Sequence, residues 1–489
     1  MNTRFAVSLA LWSLVSACAA DETKDKRTQK EEAGQEAVEE PQVAADEFDA
    51  LALTQTQCQD AATFAKLTAS VSGTLFINSP EVVNDARAKG EGKWSFAYLI
   101  REILELPAPG TAPALLAAEQ AAVDGFIAKF NQSGNVNGLP PPRRNATSNT
   151  LKSSWGTRKG SDGKSYRTFA DAPFKLVAIM NRMDIVKKGQ DAVNAGEGRF
   201  IFGFTGGLPM TVIFEYDLPI GSLSNKSMAS RAQWAKRWHN LKTFLTDTDA
   251  AKPGVQPDQR VGAALKFSNK ADYLNALQGI TELFANRTAQ TRTGGTQAAI
   301  SQIRTNEFIS SPWELREIVR NRNSAGKANL VLTTVKNNPD TKFRSGTRGF
   351  SAWVNSNVEC SVATDLNSCR YKTGNGQLPA VFASTVNQRE PLLAASAPVS
   401  FEWFSGSTNV KQRFVALNTC SGCHQSETGT SFLHVSETGV ASVFLKSELA
   451  KRLVNFKNQV CLAVGSTSDL NLTGESSIPP PLHQNFSVH

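Results

Sequence analysis

The sequence predicts an α+β fold in which helices and antiparallel strands are segregated rather than alternated. Three observations carry this. Apolar residues recur at helical spacing in residues 51–145 and again from Val443 to Leu462. Between them lie apolar runs of strand length, two of which flank a Gly-Gly-Leu-Pro turn. No regular strand–helix–strand alternation and no internal repeat is visible, so a repeating βαβ architecture is not indicated.

In chain order, the first region (51–145) is helical. Trp94 to Ile100 and Ala114 to Phe130 carry its apolar stripes, and Pro107, Pro109 and Pro113 separate them. An antiparallel-sheet domain follows (146–400). Phe174 to Met180 is a buried strand. Arg199–Phe204 and Met210–Tyr216 form a hairpin around Gly206-Gly207-Leu208-Pro209, where turn geometry explains the glycines. Trp234, Trp238, Leu241 and Leu245 stripe one helix, and Leu274, Leu277, Thr281 and Phe284 stripe a second. Ser311-Pro312-Trp313-Glu314 reads as a helix start, with Ser as cap, Pro at the first position and Glu closing a capping box. That reading puts Glu314 and Glu317 on one helix face beside Arg316 and Arg320. Leu330 to Val335 is a further strand. The last region (401–489) is small and mostly helical, its long helix burying Leu445, Leu449, Leu453, Phe456 and Val460.

At 489 residues, with 40% hydrophobic and 20% charged residues, the chain is a globular protein of two or three domains. Its net charge of +8 hides an acidic stretch before residue 51. Residues 19–50 hold eleven acids against Lys24, Lys26, Arg27 and Lys30 and few large apolar side chains, which predicts a flexible tether over 18–50. The remainder is correspondingly basic, most densely from Arg143 to Arg167, through Arg144, Lys152, Arg158, Lys159 and Lys164. This stretch reads either as a solvated loop or as a grip for an anionic polymer. Only Trp155 and Tyr166 lie within it as stacking groups, so specific nucleic-acid recognition is not expected.

Arg4 and the apolar run Phe5–Val15 form a signal peptide too short to stay across a bilayer. The run ends in Leu14-Val15-Ser16-Ala17-Cys18, which resembles the bacterial lipobox. The resemblance implies cleavage after residue 17, acylation of Cys18 and, because Ala19 and Ala20 follow, an outer-membrane lipoprotein. Six cysteines then remain. Cys360 and Cys369 flank a turn-rich stretch and are expected to pair. Cys58 with Cys461 is the leftover pair.

Cys420-Ser421-Gly422-Cys423-His424 is the motif that carries chemistry. In an exported protein, C-x-x-C-H is the spacing of c-type haem attachment. Residues 401–489 resemble the monohaem c-type cytochromes to that extent. The resemblance implies thioether bonds from Cys420 and Cys423 to haem c and His424 as an axial iron ligand. The family commonly supplies a downstream Met as second ligand, but all five Met here precede residue 229, so His434 is the substitute. The wider string Leu417 to His424, with Glu427-Thr428 and Phe432-Leu433-His434, is similar to a group of bacterial secreted proteins with no assigned activity. Phe174–Asp184 and Arg304–Glu317 belong to the same pattern.

Two other uses of the motif stay open. The two thiols can close a short disulfide, or Cys420, Cys423, a histidine and Cys461 can bind zinc. Hydrolase chemistry has no support, since neither G-x-S-x-G nor H-E-x-x-H occurs and His239 is the only histidine before residue 424. The expectation is a haem-bearing outer-membrane lipoprotein that transfers electrons to a redox partner or binds a ligand at iron. The alternative is a haem-free lipoprotein, stapled by disulfides, that binds a polyanion or a partner protein.

Overall fold

The structure, a computed structural model, describes most of residues 74–460. Outside the described residues lie 1–73, 186–193, 221–230, 247–264, 290–298, 344–348, 373–377, 399–408, 425–432 and 461–489, with shorter stretches near 380, 387 and 455. The segments read above as signal peptide and acidic tether, with Cys18, Cys58 and Cys461, are therefore not among them.

Chain order runs β1 (Phe76–Ile77), α1 (Phe96–Leu104), α2 (Pro113–Ala128), α3 (Asn145–Ser154), the hairpin β2 (Thr157–Lys159) and β3 (Ser165–Arg167), then β4 (Phe174–Arg182), β5 (Asn194–Phe204) and β6 (Met210–Pro219). Helices α4 (Arg231–Asn240) and α5 (Lys270–Ala285) precede β7 (Ile300–Glu307), β8 (Glu314–Arg322) and β9 (Ala328–Thr333). The rest comprises α6 (Phe350–Asn357), β10 (Val358–Cys360), β11 (Cys369–Tyr371), β12 (Val381–Thr385), β13 (Gln388–Pro391), β14 (Ala397–Pro398), α7 (Val410–Leu417) and the one-turn α8 (Cys420–Cys423). Residues 443–449 are again helical. The fold is α+β, as expected. An antiparallel sheet in the order β1-β4-β5-β6-β7-β8-β14, with β9 also on β8, forms its centre.

One face of the sheet is aromatic. Phe200 pairs with Phe214 and Phe202 with Val212 across β5 and β6, so side chains two apart share the buried face. Phe96, the first residue of α1, reaches this face. It stacks on Phe174 at 4.9 Å and meets Phe202 edge-on at 5.4 Å. Ser95 caps α1 by accepting the Tyr98 N–H. Helix α5 brings Phe284 to within 6.0 Å of Phe200 and 5.6 Å of Tyr216. Each fully buried side chain of this size contributes about 1.5–3 kcal/mol.

The opposite face is charged yet equally buried. The register sets Met180 beside Arg199, Arg199 beside Glu215, Glu215 beside Gln302, and Arg304 beside Glu317. Glu437 and Arg452 lie against it. Gly203 is required there, because a Cβ would stand 1.9 Å from the Glu437 carbonyl oxygen. Leu445, Leu449, Leu453, Phe456 and Val460 enter the same core as the N-terminal helices. That core is continuous from Leu75 to Val460.

Most sequence-predicted elements are found where expected, and two readings change. Ser311–Glu314 does not start a helix, because Glu314–Arg322 is the strand β8. Glu314 and Glu317 consequently point to opposite faces. Glu314 pairs with Arg316 and Arg144, Glu317 with Arg304, and Arg320 with Glu105. Cross-strand pairing of buried charges outweighs the local capping signal, as tertiary context does over propensity. The basic stretch from Arg143 is likewise not a loop but α3 and the β2–β3 hairpin.

A second apolar cluster contains Phe350, Val354, Val358, Leu392, Phe414 and Val415. The disulfide between Cys360 and Cys369 stands beside it, joining directly opposed residues of β10 and β11.

Candidate functional site

The C-x-x-C-H turn is built by the residues just before it. Asn409 caps α7 by accepting the Lys411 and Gln412 N–H groups. The helix ends at Asn418, whose side-chain amide donates to the Phe414 carbonyl. Thr419 joins the two helices. Its hydroxyl accepts the Gly422 N–H at 3.0 Å and donates to the Ala416 carbonyl at 2.7 Å. Gly422 has no room for a side chain, because a Cβ would stand 2.2 Å from the Ala416 oxygen. Ser421 donates through both its N–H and its hydroxyl to Asn338 Oδ1, at 3.0 and 2.8 Å. The turn is thus fastened to the loop that follows β9.

This geometry buries the motif. Cys420 is 0%, Cys423 1% and His424 2% exposed. Both cysteines are thiols, not bonded to one another. The Cys420 sulfur faces the Lys336 carbonyl at 3.7 Å and packs with Trp313, Leu315, Val335 and Ala397. The Cys423 sulfur lies 3.6 Å from Nε2 of His434. The His424 ring stacks on Trp313, centroids 4.9 Å apart, and lies 4.2 Å from the His434 ring. Of the sequence-predicted site residues, buried Cys420, Cys423 and His424 and half-buried His434 are therefore brought together.

Burial dominates their ionisation. It pushes the Cys420 thiol up to about 12, against the opposing pull of Arg304. It raises Cys423 well above the ordinary thiol range, with Cys420 and Glu448 adding to the effect. It lowers His434 well below the ordinary imidazole value, aided by His424, Arg452 and Arg182. In the cofactor-free chain this is a neutral dithiol beside neutral imidazole.

Sequence reasoning missed what lies beneath. Arg304 bonds Glu317 at 2.9 Å and approaches Glu215 at 3.4 Å, and Arg199 approaches Glu215 at 3.1 Å. The Lys336 N–H donates to Glu317 Oε1, so the residue that faces the Cys420 sulfur through its carbonyl holds this ladder through its amide. Asp184 accepts from Arg182 at 2.9 Å and faces Arg452 at 3.5 Å, and both arginines act electrostatically on Cys423 and His434. Despite burial, Arg199 and Arg304 hold the Glu215 carboxyl below its ordinary range, and Arg182 and Arg452 do the same for Asp184. The signal that marks such residues is a set of balanced acids and bases inside otherwise buried strands, as in Glu314-Leu315-Arg316-Glu317-Ile318.

The other sequence-predicted groups lie apart. Cys360 and Cys369 are bridged to each other. His239, on α4, is pushed down to about 4, by burial first and Lys242 second. In the basic stretch, Arg144 pairs with Glu307, Arg158 with Asp171, Lys164 with Asp162 and Arg167 with Asp124. Among the described residues, no three His, Cys, Asp or Glu side chains converge as a metal-ligand set, and no helix is long and apolar enough to cross a membrane. Comparison with known protein families, curated proteins and solved structures finds no match to this chain.

Proposed function

We propose that this chain is an outer-membrane lipoprotein, anchored through Cys18, that carries one c-type haem on Cys420 and Cys423 and transfers electrons or binds a small ligand at the iron. The observation that supports it is the single helical turn that brings two cysteines outside any disulfide and the His424 imidazole together in the interior. Cys420 and Cys423 hold the first and fourth positions of that turn and His424 caps it, so these two sulfurs and this imidazole are the groups that would hold a haem. When bound, the haem supplies a one-electron iron couple whose potential follows burial and hydrogen bonding.

The chain's own residues have definable tasks in this reading. Trp313 fixes the plane of His424 by stacking. The ladder Arg199–Glu215–Arg304–Glu317 is a preorganised set of paired charges beneath the centre. It steadies a change of one unit charge in a water-poor interior without rearrangement. An envelope redox partner follows from the electron-transfer form of the proposal. The pairing of Arg144, Arg158, Lys164 and Arg167 with acids weakens the competing picture of an anion grip.

The test is expression of the mature chain in a periplasm that contains haem-maturation machinery, followed by visible spectra with and without dithionite. A Soret band that stays with the denatured chain, and is lost in Cys420→Ala, is the expected result. A folded but colourless protein overturns the proposal and leaves the haem-free, disulfide-stapled binding lipoprotein.

A further inference from the structure

The loop that follows β9 is zipped along the chain before β14. The Val335 N–H donates to the Ala394 carbonyl at 2.9 Å, the Ala394 N–H to the Asn338 carbonyl at 2.9 Å, and the Asp340 N–H to the Leu392 carbonyl at 2.7 Å. Asn337 is buried at a left-handed φ of 54°, which asparagine tolerates better than most residues, and its Oδ1 accepts the Leu378 N–H at 2.7 Å. Asn338, beside it, reaches α8 with its side chain.

At that contact two hydrogen bonds converge on a single atom. Asn338 Oδ1 accepts both the N–H and the hydroxyl of Ser421, at 3.0 and 2.8 Å, while its Nδ2 donates to the Ser396 carbonyl at 3.4 Å. The same loop sets the Lys336 carbonyl 3.7 Å from the Cys420 sulfur. Cys423 is guarded from elsewhere. Its sulfur faces Nε2 of His434 at 3.6 Å. His434 belongs to a small loop closed by the Val435–Ala441 bridge and by the Ser442 N–H, which donates to the His434 carbonyl at 2.8 Å. The two cysteines share one helical turn, yet their sulfurs face different segments.

We propose that Asn338 is a latch on the C-x-x-C-H turn: local release of its bonds to Ser421 exposes Cys420 to a thiol-directed reactant while the His434 contact keeps Cys423 covered. With the latch closed both thiols are buried and protonated, and a buried, protonated thiol is inert. Opening one loop contact costs far less than unfolding a core that runs from Leu75 to Val460. The latch therefore sets which of the two sulfurs reacts first and how fast. This holds whatever group the thiols carry and does not rest on the haem proposal.

The test labels the full-length, haem-free chain with iodoacetamide under native conditions. Initial rates at Cys420 and Cys423 are read separately by tandem mass spectrometry. In wild type Cys420 should react before Cys423, at a rate that barely changes at low urea. Asn338→Ala removes both bonds at once and should speed Cys420 labelling by roughly ten- to a hundredfold, with a much smaller change at Cys423. Asn338→Asp keeps an acceptor for Ser421 and should react more slowly than Asn338→Ala. Urea denaturation followed by tryptophan fluorescence gives the global stability of each protein. Three results overturn the proposal: wild-type Cys420 labelling that rises with urea as steeply as global unfolding, Cys423 reacting with or before Cys420, or a gain in labelling in Asn338→Ala that equals its loss of global stability. Should Asn338→Ala fail to fold, the order of labelling in wild type and its urea dependence still decide the matter.

Discussion

The indole of Trp313 and the imidazole of His424 lie stacked, ring centroids 4.9 Å apart and planes within 25°. One residue comes from the turn before β8 and the other from the end of α8, so this contact ties the sheet edge to the motif. Trp313→Ala should destabilise the protein by about 3–5 kcal/mol, the usual cost of emptying a buried aromatic site. Trp313→Phe should recover most of the loss, because it keeps a stacking face. Urea denaturation of the three proteins checks this. Equal stability of Trp313→Ala and wild type would show the contact to be incidental.

The Gly422 position has no tolerance for a methyl group, since backbone atoms of Ala416 are what it would strike. Gly422→Ala should open the turn and expose both thiols. In the haem-free chain, native-state labelling with a thiol reagent should be slow in wild type and fast in the variant. Ser421→Ala, which removes one of two bonds to Asn338, should cost about 1–3 kcal/mol and leave the thiols protected.

Removing one partner of the buried ladder should be severe. Glu317→Ala removes the 2.9 Å partner of Arg304 and the acceptor of the Lys336 amide, with an expected loss of about 3–5 kcal/mol. The double variant Arg304→Met with Glu317→Leu should lose less than Glu317→Ala alone. Chemical denaturation of both distinguishes this from simple additivity.

Stability of the haem-free chain should form a plateau bounded on both sides by titration. His239 and His434 have lowered values in the fold, so the unfolded chain binds protons that the native chain does not. Their contribution is complete above about pH 6.5 and falls with acidity by about 1.4 kcal/mol per pH unit for each histidine. Glu215 and Asp184, lowered by their arginines, add a further loss once pH falls below the ordinary carboxylate range. Above about pH 8.5 the sign reverses, because the unfolded thiols ionise while burial keeps Cys420 protonated up to about 12. Thermal melts across this range, repeated with His239→Gln, should show a shallower acid limb in the variant.

The Cys360–Cys369 bridge closes a loop with a sequence separation of 9, and its loss should cost about 2–3 kcal/mol. Cys360→Ser with Cys369→Ser, compared with wild type under reducing and non-reducing conditions, measures this. Reducing agent should destabilise wild type by more than it does the variant, and the difference is the contribution of this bridge.

The sequence made legible whatever depends on near neighbours. The β5–β6 hairpin was readable from alternation around one turn, the α5 stripe from helical spacing, and the 360–369 bridge from the turn between its cysteines. The C-x-x-C-H turn was readable because Cys420, Cys423 and His424 fall within five consecutive residues. The strand β8 was misread because Ser311-Pro312-Trp313-Glu314 carries every local sign of a helix start, while its real partners lie on the separate strands β7 and β9. Trp313, Arg304 and Glu317 were invisible as site residues for the same reason. Only the sheet register brings them beneath Cys420.

The two cysteine pairs of the described fold make opposite demands on the place where the protein matures. Cys360 and Cys369 must lose their protons and electrons to an oxidant to complete the ledge on which α7 rests. Cys420 and Cys423, a few dozen residues later, stand as thiols. An oxidant strong enough for the first pair meets the second while it is still accessible, and burial of the turn is what ends that exposure. The same fold therefore holds one cysteine pair oxidised and the other reduced, and it keeps them apart by burying the second.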